Sequence, residues 1–204
     1  MKESFDEKSK TWDDEPRRVR QAQAIYSAIE KGVPLQAGSN ALDYGCGTGL
    51  LTLPLAKRVG RVTAVDSSAG MLEVLMQKAQ AGGLGNIGSL RADFTSDPLP
   101  PESYDLITSA MSLHHVADTA TLLRKFFRLL APGGTLALAD LDSEDGSFHG
   151  SMDGIPHAGF DRDALSGQLT TAGFTEIQFT TVTSIEKNER TYPVFLVTAL
   201  KRGT

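Results

Sequence analysis

The chain has 204 residues, a formal net charge of −5, 40% hydrophobic and 22% charged residues, an ordinary composition for one well-buried soluble domain. The acidic balance offers no electrostatic footprint for nucleic acid, so no nucleic-acid partner is expected, and the single cysteine, Cys46, excludes an intramolecular disulfide or a multi-thiolate metal site. No apolar run is long enough to span a bilayer and the first ten residues lack the apolar core of a secretory signal, so a cytoplasmic protein with no membrane partner is expected.

Residues 1–15 are polar apart from Phe5 and Trp12. They read either as a frayed terminus or as a flap whose aromatics dock over a pocket. From Pro16 to Lys31, Val19, Ala22, Ile25, Tyr26 and Ile29 recur at helical spacing, and Gly32 and Pro34 end the helix. Ala41 to Tyr44 reads as a short buried strand. A helix is predicted over about 50–58, with Pro54 in or near its first turn, where proline is tolerated. A second strand, Arg61 to Val65, ends at Asp66. Ser67 or Ser68 can cap the next helix, which carries Met71, Leu72, Leu75, Met76 and Ala79 and breaks at Gly82, Gly83 and Gly85.

A third strand is predicted over Ile87 to Ala92, and a fourth over Tyr104 to Ser109 after a proline-rich loop. An amphipathic helix from Thr119 to Leu130 leads through a Pro132-Gly-Gly134 turn into a fifth strand, Thr135 to Leu141. The segment 142–160 is long, polar and glycine-bearing, as a substrate loop is. Asp161 to Ala172 reads as a helix ended by Gly173. Two β-rich runs, Thr175 to Ile185 and Thr191 to Leu200, flank a charged turn as a hairpin does. Strand and helix alternate over 41–141, which argues for a mostly parallel α/β sheet in one domain.

The candidate site follows from the strand ends, where doubly wound sheets bind ligands. After strand one comes Leu42-Asp-Tyr-Gly-Cys-Gly-Thr-Gly49, a glycine turn that lets backbone approach a ligand closely. Asp43 beside it is a poor neighbour for a pyrophosphate and suits a ligand that is cationic there, such as S-adenosylmethionine. Asp66 after strand two can accept hydrogen bonds from both hydroxyls of a ribose. Asp93 after strand three can accept from an adenine amino group, with Phe94 to cover the ring. Ser109 to Val116, after strand four, is where a substrate would meet the cofactor.

These motifs, in this order, resemble those of the class I S-adenosylmethionine-dependent methyltransferases of the small-molecule type. The resemblance rests on Leu42–Gly49, Val65-Asp-Ser-Ser-Ala-Gly-Met-Leu72, Ala92-Asp-Phe94, Tyr104-Asp-Leu-Ile107 and Leu129-Leu-Ala-Pro-Gly-Gly-Thr-Leu136, and spans about residues 16–200. It implies a single Rossmann-like doubly wound α/β sheet of seven strands, order 3-2-1-4-5-7-6, with strand seven antiparallel and helices on both faces. The implied domain is 16–204, preceded by the 1–15 segment. It implies S-adenosylmethionine as cofactor, S-adenosylhomocysteine as product and a small-molecule acceptor. The cofactor-binding residues would be Asp43, Tyr44, Gly45, Cys46, Gly47, Asp66, Ser67, Met71, Ala92, Asp93, Phe94, Ser109, Ala110 and His115.

A catalytic base is needed only where the acceptor enters protonated. His114 is the first candidate, with His149 and His157 behind it. Their spacing does not match a zinc site and no metal is expected. No base is placed by sequence to activate Cys46 as a nucleophile. Asp140, Asp142, Glu144 and Asp145 crowd the end of strand five, as a solvated acidic loop or as a like-charge cluster with one raised carboxyl pKa. Phe148 and Phe160 are candidates to wall a substrate cavity.

Rival classes fail on particular residues. A dinucleotide fingerprint lacks its third glycine, since Leu50 stands in that position, and a phosphate loop lacks its Gly-Lys-Ser/Thr. Ser109-Ala-Met-Ser112 is not the Asn-Pro-Pro-Tyr of DNA adenine and glutamine methyltransferases. A non-catalytic cofactor-binding module stays open. The sequence carries no signal of oligomeric state.

Overall fold

The computed structural model describes residues 5–149, 152, 154–187 and 189–203. Seven strands form one sheet: β1 (Asn40–Tyr44), β2 (Arg61–Asp66), β3 (Ile87–Arg91), β4 (Tyr104–Ala110), β5 (Leu130–Leu141), β6 (Thr175–Lys187) and β7 (Arg190–Leu200). Their order is β3-β2-β1-β4-β5-β7-β6, as the family resemblance implies. The first five are parallel to one another, and β7 runs antiparallel to both β5 and β6. The helices are α1 (Phe5–Lys8), α2 (Pro16–Gly32), α3 (Thr52–Ala56), α4 (Ala69–Ala81), α5 (Thr119–Leu129) and α6 (Arg162–Ala172). A 3-10 turn, Ser9–Asp14, joins α1 to α2.

Side-chain alternation along the strands builds two cores, one on each face. Along β5, Ala137, Ala139 and Leu141 face the layer with Ile25, Ile29, Leu55 and Leu75. Leu136 and Leu138 face the layer with Leu122, Phe126, Leu165 and Leu169. The buried set of α5, Thr119, Leu122, Leu123, Phe126 and Leu129, is the 3.6-residue stripe of a helix lying on a sheet. Side-chain caps start three helices: Ser68 accepts from the Met71 amide, Asp118 from Thr121 and Asp161 from Ala164. Gly173 ends α6 at φ 107°, where an added Cβ would lie 2.8 Å from the Phe127 ring.

Three local expectations shift. The helix after the glycine turn is only Thr52–Ala56, because the chain leaves that turn through successive turns before regular helix begins. β5 starts at Leu130, upstream of the Pro-Gly-Gly turn. Leu130 pairs with Tyr104, and the register then jumps to Leu106 opposite Thr135, so the turn is an irregularity within the strand. The last hairpin pairs through to Lys187 opposite Arg190, which narrows the charged turn.

Candidate functional site

A cavity of 540 Å³ opens at the carboxyl ends of β1, β2, β3 and β4. The glycine turn forms its floor. The Gly45 and Cys46 amides both donate to the Val65 carbonyl, at 2.8 and 3.0 Å, which ties the turn to β2. Gly45, Gly47 and Gly49 take φ values of 68°, 53° and 85°, a left-handed conformation that side chains other than glycine adopt at a cost. At Gly45 the space is also closed, since a Cβ would lie 2.1 Å from Ser112 Oγ.

Three carboxylates stand at three neighbouring strand ends around this floor. Asp43 is 1% exposed; its Oδ2 accepts from Thr52 Oγ1 at 2.6 Å and its Oδ1 from Thr108 Oγ1 at 2.9 Å. Burial pushes its pKa up to about 6, against the pull of those hydroxyls and with added repulsion from Asp66. Asp66 accepts from the Gly47 amide at 2.8 Å and the Ser68 amide at 2.9 Å, and burial raises its pKa too. A carboxylate has about four acceptor positions, so capacity remains for a ligand. Asp93 uses one oxygen, Oδ1, to accept from the Thr95 amide (2.8 Å), Thr95 Oγ1 (2.7 Å) and Tyr44 Oη (3.3 Å).

Most of the residues expected to hold the cofactor line this cavity: Asp43, Tyr44, Gly45, Cys46, Gly47, Asp66, Ser67, Met71, Ala92, Asp93, Ala110 and His115. Two expectations are corrected. Phe94 is fully buried, 5.2 Å from the Tyr44 ring, and Thr95 stands at the wall instead. Ser109 points back into the turn, its Oγ 3.2 Å from Ser112 Oγ. Cys46 is disfavoured as a nucleophile: burial and the charges of Asp43 and Asp66 raise its thiol pKa.

The candidate bases move most. His114, His149 and His157 do not line the cavity, whereas His115 does. His114 is buried behind His115, ring centroids 4.2 Å apart, with its Nδ1 2.8 Å from Asp140 Oδ1 and its amide donating to Asp140 Oδ2. His157 Nε2 donates to the Val116 carbonyl at 3.0 Å. The His149 ring lies 4.9 Å from His114, and burial lowers its pKa to about 4, with the His114 charge adding to the shift. Phe148 packs on Tyr192 and Phe160 lies in the core, so neither walls this cavity. The acidic cluster is dispersed: Asp140 faces His114, Asp142 pairs with Arg162 through two 2.7 Å bonds, and Asp145 pairs with Arg190.

Further wall residues escaped the sequence reading or were left open by it. The N-terminal segment brings Phe5 and Trp12 to the cavity, and α2 brings Arg18 and Gln21. Asp6 Oδ1 accepts from Ser68 Oγ at 2.5 Å and from the Gly70 amide at 2.9 Å. Asp13 accepts from Thr48 Oγ1 at 2.6 Å and pairs with Lys78 at 2.5 Å. Arg18 lies 3.8 Å over the Trp12 ring and donates to its carbonyl at 3.1 Å. Gln21 Nε2 is a buried donor with no partner among the described residues. Helical periodicity marks α2 as amphipathic but does not say that its polar side meets a cavity. Met111, also at the wall, holds φ 56°, the kind of strain that collects at binding sites.

A family model described as a methyltransferase domain matches residues 42–138. The demethylmenaquinone methyltransferase of Listeria welshimeri is 35% identical over 109 residues, 52% of this chain and 46% of that protein. The chain therefore spans about half the length of the curated relatives it matches. A crystallised SAM-dependent methyltransferase from Aquifex aeolicus superposes with a TM-score of 0.73 at 25% identity, covering 96% of this chain and 98% of that one. Phosphoethanolamine N-methyltransferase 2 of Haemonchus contortus, solved with S-adenosyl-L-methionine, gives 0.75 at 18% identity over 90% of this chain and 53% of that one. Motif order and strand order agree with these likenesses: residues 42–138 match the methyltransferase-domain model, and the sheet order is β3-β2-β1-β4-β5-β7-β6.

Proposed function

We propose that the chain binds S-adenosylmethionine in this cavity and directs its methyl group to a small-molecule acceptor. The observation that carries the reading is the set of three carboxylates, Asp43, Asp66 and Asp93, at three adjacent strand ends around one glycine-floored cavity. The bound cofactor supplies a sulfonium methyl, already activated for in-line displacement. The residues fit it by charge. Asp43, buried and held near pKa 6, gains from a cation beside it, which the ammonium group provides. Asp66 takes the ribose hydroxyls, Asp93 the adenine amino group, and the Gly45–Gly47 backbone lies along the methionine end. Ser67, Met71 and Ala92 complete the nucleoside wall.

The cofactor's carboxylate needs donors of opposite sign. Among the described residues, Arg18 is the one Lys or Arg side chain at the cavity wall, and Gln21 adds a donor with no partner there. Asp13, bonded to Thr48, brings this corner to the glycine-turn end. The chain's own work is then positioning and exclusion of water. The segment before residue 16 acts as a flap on a domain spanning 16–204, and the loop 142–160 is the part free to vary with substrate. Where the acceptor carries a proton, His115 is the histidine at the wall to take it, with the His114–Asp140 pair behind.

Calorimetric titration of S-adenosylhomocysteine tests this, with NAD and an Asp66→Ala variant as controls. Micromolar binding that the variant loses is expected. No binding by the folded protein would refute the reading.

A further inference from the structure

The carboxylates of this protein divide by their partners. Asp13, Asp140, Asp142 and Asp145 each stand against a basic side chain: Lys78, His114, Arg162 and Arg190. Asp43 and Asp66, at the cavity floor, enter no ion pair among the described residues. Neutral groups meet them instead, the Gly47 and Ser68 amides at Asp66 and the Thr52 and Thr108 hydroxyls at Asp43. The titratable groups that face Asp43 are Asp66 from β2 and Cys46 from the glycine turn, whose thiol is itself held protonated. Arg18, at the wall, lies over Trp12 and has Glu15, Arg17 and Asp13 as its charged neighbours.

A buried carboxyl without a counter-ion favours the neutral acid, and this one has a place for the proton. Thr108 Oγ1 lies 2.9 Å from Asp43 Oδ1 and 3.3 Å from the Leu42 carbonyl oxygen. A hydroxyl carries one proton and two lone pairs. It can donate to an ionised Asp43, or donate to Leu42 while accepting from a protonated Asp43. The two protonation states then differ by one hydroxyl rotation, with the heavy atoms in place.

From this geometry we infer that Asp43 is a proton-exchange group: a ligand that brings an ammonium to the cavity floor displaces the carboxyl proton, and a ligand without one does not. The inference deepens the cofactor reading and rests on it for the source of the ammonium. The ammonium enters with its own protons and keeps them. The O–H bond of Asp43 breaks, its proton leaves to solvent through the cavity, and the carboxylate pairs with the cation. The floor thereby selects ligands by charge at the methionine end. Ligand-free Asp43 titrates at about pH 6, so the exchange operates below that pH. Above it the carboxylate is already ionised and the cation simply pairs with it.

Calorimetry of S-adenosylhomocysteine and 5′-methylthioadenosine, at pH 5 and 7.5 in two buffers of unlike ionisation heat, counts the protons released. Both ligands carry the nucleoside and the sulfur, so any contribution from Asp66 at the ribose cancels in their difference. At pH 5 S-adenosylhomocysteine should release about one proton more than 5′-methylthioadenosine, and at pH 7.5 the two should match. Between pH 7.5 and 5 it should also lose about tenfold more affinity. Both differences vanish in Asp43→Asn, whereas any that His115 supplies persist. Carboxyl carbon-13 NMR reads the group itself. The signal missing from Asp43→Asn should move to its ionised position when S-adenosylhomocysteine is added at pH 5, and stay in place with 5′-methylthioadenosine. Equal proton release by the two ligands at pH 5, a difference that survives in the variant, or an Asp43 signal already ionised at pH 5 without ligand overturns the exchange alone. No binding of S-adenosylhomocysteine by the folded protein overturns the cofactor reading, and the exchange with it.

Discussion

Replacing Asp43 with Asn tests the electrostatic design of the cavity floor. The carboxyl is 1% exposed, and its folded-state pKa lies at about 6 against an ordinary 3.8. The folded state therefore holds a proton that the unfolded chain has released. Its contribution to stability is fully present below pH 3.8 and is lost as pH rises to about 6. A rise of roughly two units, at ~1.36 kcal/mol each, makes this loss about 3 kcal/mol above pH 6 in the ligand-free protein. Asn is a neutral isostere that can still accept from Thr108 while Thr52 Oγ1 turns to accept. Asp43→Asn should then match the parent near pH 4 and exceed it by up to about 3 kcal/mol at pH 8, or roughly 6–12 °C in Tm. Urea unfolding of both proteins from pH 4 to 8, without ligand, measures the gap. A gap that stays flat with pH, or an Asn variant no more stable than the parent at pH 8, would refute the reasoning. The same variant should bind S-adenosylhomocysteine more weakly, because the ammonium loses its partner.

Three further outcomes are expected. Gly45→Ala meets Ser112 Oγ at 2.1 Å on a φ of 68°, and should lose about 1–3 kcal/mol in a urea melt; adding Ser112→Gly should recover part of it, and a fully stable single variant would contradict the packing. Arg18→Met should weaken S-adenosylhomocysteine about 10- to 100-fold but leave 5′-methylthioadenosine, which has no carboxylate, unchanged; equal losses for both ligands would remove Arg18 from the carboxylate. His149 should titrate by NMR near pH 4, where burial places it, and stability from this group should fall as pH drops from about 6.5 toward 4; a midpoint near 6.5 would place the ring in solvent.

Most of the fold was legible because its signals are local. Strand and helix alternate with period and with punctuation at Gly32, Gly82 and Gly173, and caps at Ser68 and Asp161 follow from hydroxyl and carboxylate chemistry next to a helix start. Asp43, Asp66 and Asp93 were legible for the same reason. Each ends a strand, and in a parallel sheet all those ends fall on one edge, whatever the chain does elsewhere. Boundaries that failed were those set by pairing partners, as where Leu130 joins β5 ahead of a turn because Tyr104 lies opposite.

Only the tertiary structure decided which side chains share the cavity. Phe94 and Ser109 sit in the right motifs, yet one rotates into the core and the other into its own turn. His114 and His115 are adjacent in sequence, and the buried Asp140 takes one while the cavity takes the other. Phe5, Trp12, Arg18 and Gln21 reach the site because Asp6 and Asp13 find partners more than thirty positions along the chain. Strand ends and helix faces follow from neighbours in sequence, which local chemistry fixes. Cavity walls follow from distant contacts, whose partners no local period encodes.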